Sequence, residues 1–122
     1  MPWEVKYIEA ENIVVILNSG ELGYEDFVAE AKEGWRVMRQ YQSFSCIVDD
    51  RNYSYPVKVT DLYSLPELYD SIGVDRKVKV ALLFNPGNPV IGDFEFFETV
   101  CQNRGYNFRV FYDESEAKSW LK

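Results

Sequence analysis

Residues 13–48 read IVVILNSGELGYEDFVAEAKEGWRVMRQYQSFSCIV, and this stretch decides the fold. Ile13-Val14-Val15-Ile16-Leu17 is a continuous β-branched run, the pattern of a strand covered on both faces. Ser19-Gly20 ends it. Tyr24, Phe27, Val28, Ala31, Trp35 and Met38 then recur at helical spacing as one apolar stripe. Glu25, Asp26, Glu30, Lys32, Glu33, Arg36 and Arg39 fall to the opposite, wet face, acidic early and basic late as the helix dipole favours. Gly34 weakens the middle of the helix and leaves room for another backbone to approach. Phe44 to Val48 is a second buried strand, closing in Asp49-Asp50. A strand, a helix and a strand in this order make a right-handed crossover between parallel neighbours.

Working outward, Trp3, Val5 and Tyr7 alternate with Glu4 and Lys6, and this strand pairs with residues 13–17 as an antiparallel hairpin. Arg51 to Val59 contains Pro56 and shows no period, which predicts a loop. Leu62, Leu65, Leu68, Tyr69 and Ile72 form the apolar side of a short helix capped by Gly73. Pro66 leaves two readings: a helix that starts near Leu65, or a separate turn over Thr60 to Ser64. Val78 to Phe84 is a strand, followed by the loop Asn85-Pro86-Gly87-Asn88-Pro89. Asp93 is placed to cap a third helix that runs through Asn103 and stops at Gly105. Tyr106 to Phe111 alternates as a strand, and Asp113 caps a last helix carrying Trp120 and Leu121 inward. The order ββαβαβαβα predicts one α/β domain over residues 1–122, built on a single mixed, mostly parallel five-stranded sheet.

Composition narrows the chemistry. The chain has 122 residues, 20 acidic against 13 basic for a net charge of −7, and no histidine. The acidic field disfavours nucleic acid as a partner. Without imidazole, Ser-His-Asp and Cys-His catalysis, histidine metal sites and histidine pH switches are excluded. Cys46 and Cys101 lie in apolar runs and are expected to be buried, unreactive thiols. The N-terminus lacks a leader pattern and no apolar run could span a bilayer, so a cytoplasmic location is expected.

The chain resembles the STAS domains, the anti-sigma-factor-antagonist-like (SpoIIAA-like) family, in its stand-alone bacterial form. The residues that carry this are Gly20-Glu21-Leu22, Ile47-Val48-Asp49-Asp50 and Leu65-Pro66-Glu67-Leu68-Tyr69. Asp93-Phe94-Glu95-Phe96-Phe97-Glu98 and Asn103-Arg104-Gly105-Tyr106-Asn107-Phe108-Arg109-Val110-Phe111 add to it, with Glu116-Ala117 and Trp120-Leu121. The resemblance implies a non-catalytic regulatory or binding module. In the sigma-factor antagonists a serine in an Asp-Ser-Ser-Gly segment after the third strand is phosphorylated. Here that stretch reads Asp49-Asp50-Arg51-Asn52-Tyr53-Ser54-Tyr55. Ser54 and Thr60 are the hydroxyls near that place, but Thr60 reads more simply as a helix cap and Ser54 as a loop residue. Some relatives of this fold resemble lipid-transfer domains of the CRAL-TRIO type, which suits an apolar pocket under a movable helix.

Two sets of residues are candidates for function. Phe94 and Phe97 share one stripe of the third helix with Cys101, whereas Phe96 and Val100 lie on another side. Such a helix is covered further than one sheet contact requires, by a ligand, a protein partner, a second copy or a membrane edge, or simply by packing of Phe96 on the neighbouring helix. The loop before it, with two prolines and the two glycines Gly87 and Gly92, supplies a hinge for residues 85–103. At the carboxyl edge of the sheet, where open α/β sheets usually bind ligands, stand Asp49, Asp50, Arg51 and Tyr53. The leading reading is a module that docks a partner, itself or a small apolar, lipid-like ligand. The alternative is a small-substrate enzyme using Asp50, Arg51, Tyr53 or Tyr55. A deep polar pocket at Asp50 favours the enzyme, and an apolar cavity beneath Phe94 to Val100 favours the binder. No metal or organic cofactor is expected, so thermal melts should be unchanged by chelator. A loss of several degrees on chelation would overturn that expectation.

Overall fold

The computed structural model describes residues 2–122. Strand β1 (Trp3–Ile8) pairs antiparallel with β2 (Ile13–Ser19). Then β3 (Ser45–Asn52), β4 (Lys79–Leu83) and β5 (Asn107–Phe111) add in parallel, giving one five-stranded sheet of order β1-β2-β3-β4-β5. The connections are α1 (Tyr24–Tyr41), α2 (Val59–Ile72) and α3 (Ile91–Asn103), and α4 (Glu114–Leu121) ends the chain. The element order and the mixed sheet are those read from the sequence. Helices α1, α2 and α3 form one layer over the sheet, while α4 packs on the strands β3 to β5 from the opposite side.

Period-two alternation divides the strands between these layers. Val14, Ile16, Cys46, Val80, Leu82 and Phe108 belong to the core under α1–α3. Ile13, Ile47, Ala81, Leu83 and Phe111 pack with Ala117 and Leu121 of α4. Both cysteines are buried. The α1 start is held by Asp26, whose carboxylate accepts from the Gly23 amide at 3.0 Å. Trp35 and Phe27 are buried as the stripe predicts, and Ala31 is half-buried.

The structure corrects five local expectations. First, β3 runs to Asn52 and not to Asp50, because Asn52 still pairs with Ser19 of β2 past the register shift. Second, α2 is continuous from Val59 through Pro66, with Lys58 as its N-cap and Thr60 already inside the first turn. The Pro66 ring is fully buried, so its packing holds the helix together although the Leu62 carbonyl loses its usual donor. Third, α3 begins at Ile91, which places Asp93 in its first turn and not at the cap. Fourth, Phe44 precedes β3 and is exposed. Fifth, Glu30 is not on the wet face of α1: it lies three residues after Phe27 and four before Gly34, on the side facing the sheet, and is buried.

The free edge of β5 is covered by side chains. Glu98 accepts from the Val110 amide, and Gln102 donates to the Phe108 carbonyl at 2.8 Å. Four residues apart on α3, they meet alternate residues of the strand. At the far end of the helical layer, Asp70 accepts from Tyr106, Arg76 and Arg104, tying α2 to the turn before β5.

A β-carbon added at Gly34 would stand 2.9 Å from the Ile16 δ-methyl. That methyl is a movable side-chain end, and the helix-propensity gain of alanine over glycine is up to about 1 kcal/mol. Urea denaturation of Gly34→Ala is therefore expected to give a stability within about 1 kcal/mol of the parent, whereas Gly34→Leu overfills the contact and costs about 1–3 kcal/mol. A parent-like Gly34→Leu would show that α1 does not sit tightly on β2.

Candidate functional site

Between the sheet and the α1–α3 layer lies a cavity of about 80 Å³. Its body is apolar, walled by Phe27, Trp35, Leu62, Leu65, Phe94 and Phe97 among others. Its other end is polar, and the strands dictate this. Asn18 follows Val14 and Ile16 by the inward period of β2, and it sits where the β2–β3 register shifts between Leu17 and Ser19. Asp50 follows Cys46 and Val48 by the inward period of β3. Glu30 reaches the same point from α1.

These three side chains are almost wholly buried, at 3% exposure for Asn18, 6% for Glu30 and 1% for Asp50. The Asn18 amide nitrogen donates to Asp50 Oδ1 at 2.7 Å and to Glu30 Oε1 at 3.2 Å. Asn18 Oδ1, Glu30 Oε2 and Asp50 Oδ2 have no partner, nor does the nearby Tyr53 hydroxyl. Tyr53 is fully buried, with its ring edge-to-face to Phe27 and to Phe94. Burial pushes the Glu30 carboxyl up to about 8, with the Asp50 charge adding and the Asn18 bond opposing. Burial likewise raises Asp50 to about 7 against the Asn18 bond. Tyr53 is pushed up to about 12, chiefly by burial and then by the two carboxylates. Burial also carries the Cys46 thiol, on the cavity wall, up to about 12.

The carboxyl-edge candidates do not converge. Asp49 points to the α4 side, where Arg51 grips it at 2.9 and 2.7 Å and also reaches Glu114. Burial raises the Asp49 carboxyl, but its Arg51 bonds outweigh this and hold it below the usual carboxylate range. Asp50 and Tyr53 lie on the other side, Asp50 at the cavity. Phe94 and Phe97 line that same cavity, while Phe96 is 56% exposed and leans on Tyr63 of α2, and Val100 is half-buried. Thus a polar site at Asp50 and an apolar cavity beneath α3 are two ends of one space. Ser54 and Thr60 are both exposed. The loop before α3 is tied down: Asn88 donates to the Tyr53 carbonyl at 2.8 Å, and Asn85 to that of Arg51 at 3.1 Å.

Asn18 and Glu30 were not singled out from the sequence. The signal for Glu30 was its i+3 spacing from Phe27, and for Asn18 its i+2 spacing from Ile16. Among the described residues no group of three or more potential ligands could hold a metal ion, and no helix is long and apolar enough to cross a membrane. Compared with protein-family models, curated proteins and solved structures, the chain matches none.

Glu30 and Asp50 bind protons more tightly in the folded chain than at their ordinary values of 4.5 and 3.8. Their contribution to stability is therefore greatest below about pH 4 and declines as pH rises towards about 8. Asp70, held down to about 2 by Tyr106, Arg104 and Arg76, acts oppositely and only in acid, where its contribution is lost as pH falls. Urea denaturation should thus show stability falling from about pH 5 to pH 8, with Glu30→Gln flattening the decline and adding about 1–3 kcal/mol at the upper end. A pH-independent parent would contradict the buried pair.

Proposed function

We propose that this chain is a non-catalytic binding module, STAS-like in the order of its elements, whose occupant is a small and largely apolar molecule held between the sheet and α1–α3. The observation that carries this reading is the cavity itself, with apolar walls and a polar end whose buried atoms lack partners. Buried polar atoms are normally satisfied, and leaving them bare costs about 1–3 kcal/mol each. A bound molecule would recover part of that cost.

The third helix is the natural door. It contributes Phe94 and Phe97 to the wall, and each such ring is worth roughly 1.5–3 kcal/mol when buried. The hinge predicted for residues 85–103 then works against the two asparagine ties, so that closure is set by Asn85 and Asn88 and not by loose glycines. Phe96 stays outside, against Tyr63, and plays no part in the cavity.

Pressurised xenon and isopentane test the reading directly, because both are apolar and small. Chemical shifts of residues around Leu62, Val80 and Phe94 are expected to move and saturate, and hydrogen exchange in α3 to slow. Val80→Phe, which fills the cavity from the central strand, should abolish both effects while the circular dichroism spectrum is retained. Saturable shifts elsewhere, or none at any concentration, would defeat the proposal.

A further inference from the structure

Of the four unpartnered buried atoms at or beside the cavity's polar end, three only accept hydrogen bonds when the carboxyls are ionised: Glu30 Oε2, Asp50 Oδ2 and Asn18 Oδ1. Asn18 already spends its amide nitrogen on both carboxylates. None of the ion pairs among the described residues involves Glu30 or Asp50. The Tyr53 hydroxyl is the one free donor near them, so with Glu30 and Asp50 ionised the polar end holds acceptors and negative charge in excess.

The complement of such a place is a compact cation with several N–H groups. A primary ammonium has three donors on one small tetrahedral centre and no acceptor to leave bare. Water brings two donors and no charge, and a guanidinium needs a broad planar seat that a space of about 80 Å³ does not leave. The cavity's aromatic residues Phe27, Trp35 and Phe94 suit both an alkyl body and a neighbouring cation.

We propose that the molecule bound in this cavity is a small primary amine, its ammonium seated against Glu30, Asp50 and Asn18 and its alkyl body along Phe27, Phe94 and Phe97. This deepens the binding-module reading, on which it rests, by naming the chemistry of the ligand's head. The volume bounds the size: a cavity of about 150 Å³ takes benzene, so one of about 80 Å³ limits the alkyl body to a few carbons. The charge balance agrees. The charged groups acting on Glu30 are Asp50 and Asp26, and Asp49 acts on Asp50, all of them carboxylates. An ammonium would offset a repulsion that the protein answers only with the neutral Asn18 amide.

Three probes of one shape separate the possibilities: isobutylamine, isobutanol and isopentane, each titrated at about pH 8 into the intact protein and followed by chemical shifts and thermal melts. Isobutylamine is expected to bind at least about tenfold more tightly than isobutanol, with the largest shifts at Asn18, Glu30 and Asp50. The double variant Glu30→Gln, Asp50→Asn should lose that preference and still take isopentane, which also shows that it folds. If isobutanol or isopentane binds the parent as well as the amine, the head proposal fails and the apolar binding site stands. If no probe binds, the cavity holds only water and both readings fall.

Discussion

The amide of Asn18 donates to Glu30 and to Asp50 together, and those two bonds join β2, α1 and β3 at a charged point of a largely apolar interior. Two buried carboxylates side by side repel each other and have lost their water, so a group that serves both is required wherever they meet. The surrounding structure is arranged to tolerate them. One turn along α1, Gly34 lets the helix rest on Ile16 at short range, which brings Glu30 down to the sheet. Tyr53 stands between Phe27 and Phe94 with its hydroxyl unpaired, extending the polar end into the aromatic wall. Stability comes from the rings further in, where Phe94 packs on Phe84 and Phe97, and Phe97 on Phe108. The polar end is a local weakness held in place by that cluster.

The sheet was legible because its strands are strongly apolar runs separated by clear helices and turns, so that order and pairing follow from few alternatives. What escaped the sequence were residues whose type argued against their position. Glu30 is a good surface residue by type, and only its spacing from Phe27 and Gly34 argued for the interior. Pro66 argued for a helix break, yet burial of its ring overrode the lost hydrogen bond. Alternation of β3 separates Asp49 from Asp50, and Asp50 faces the core because it follows Cys46 and Val48 on the inward period. The cavity itself has no sequence signature, since it is a volume left between side chains that individually read as core.

Separation of the two aspartates also divides the carboxyl edge into unlike halves. On the α4 side, Asp49 and Glu114 are paired with Arg51, and Glu114 also with Lys118, in a partly exposed network that fastens the last helix to the sheet. On the inner side, Glu30 and Asp50 have Asn18 but no cation among the described residues. The same strand end therefore performs a structural task on one face and offers an unmet charge on the other, which is why neither aspartate can be judged from its neighbour.

Glu98 and Gln102 give α3 a second identity. By answering the Val110 amide and the Phe108 carbonyl they stand in for a sixth strand, and they close an edge that would otherwise accept any passing chain. The helix that walls the cavity is thus also the guard of the sheet. Lifting it would bare hydrogen-bonding groups along β5, so any opening of the cavity on this side would also weaken protection from strand-to-strand association. An occupant that keeps α3 seated would act, in effect, as a solubility factor for the protein that holds it.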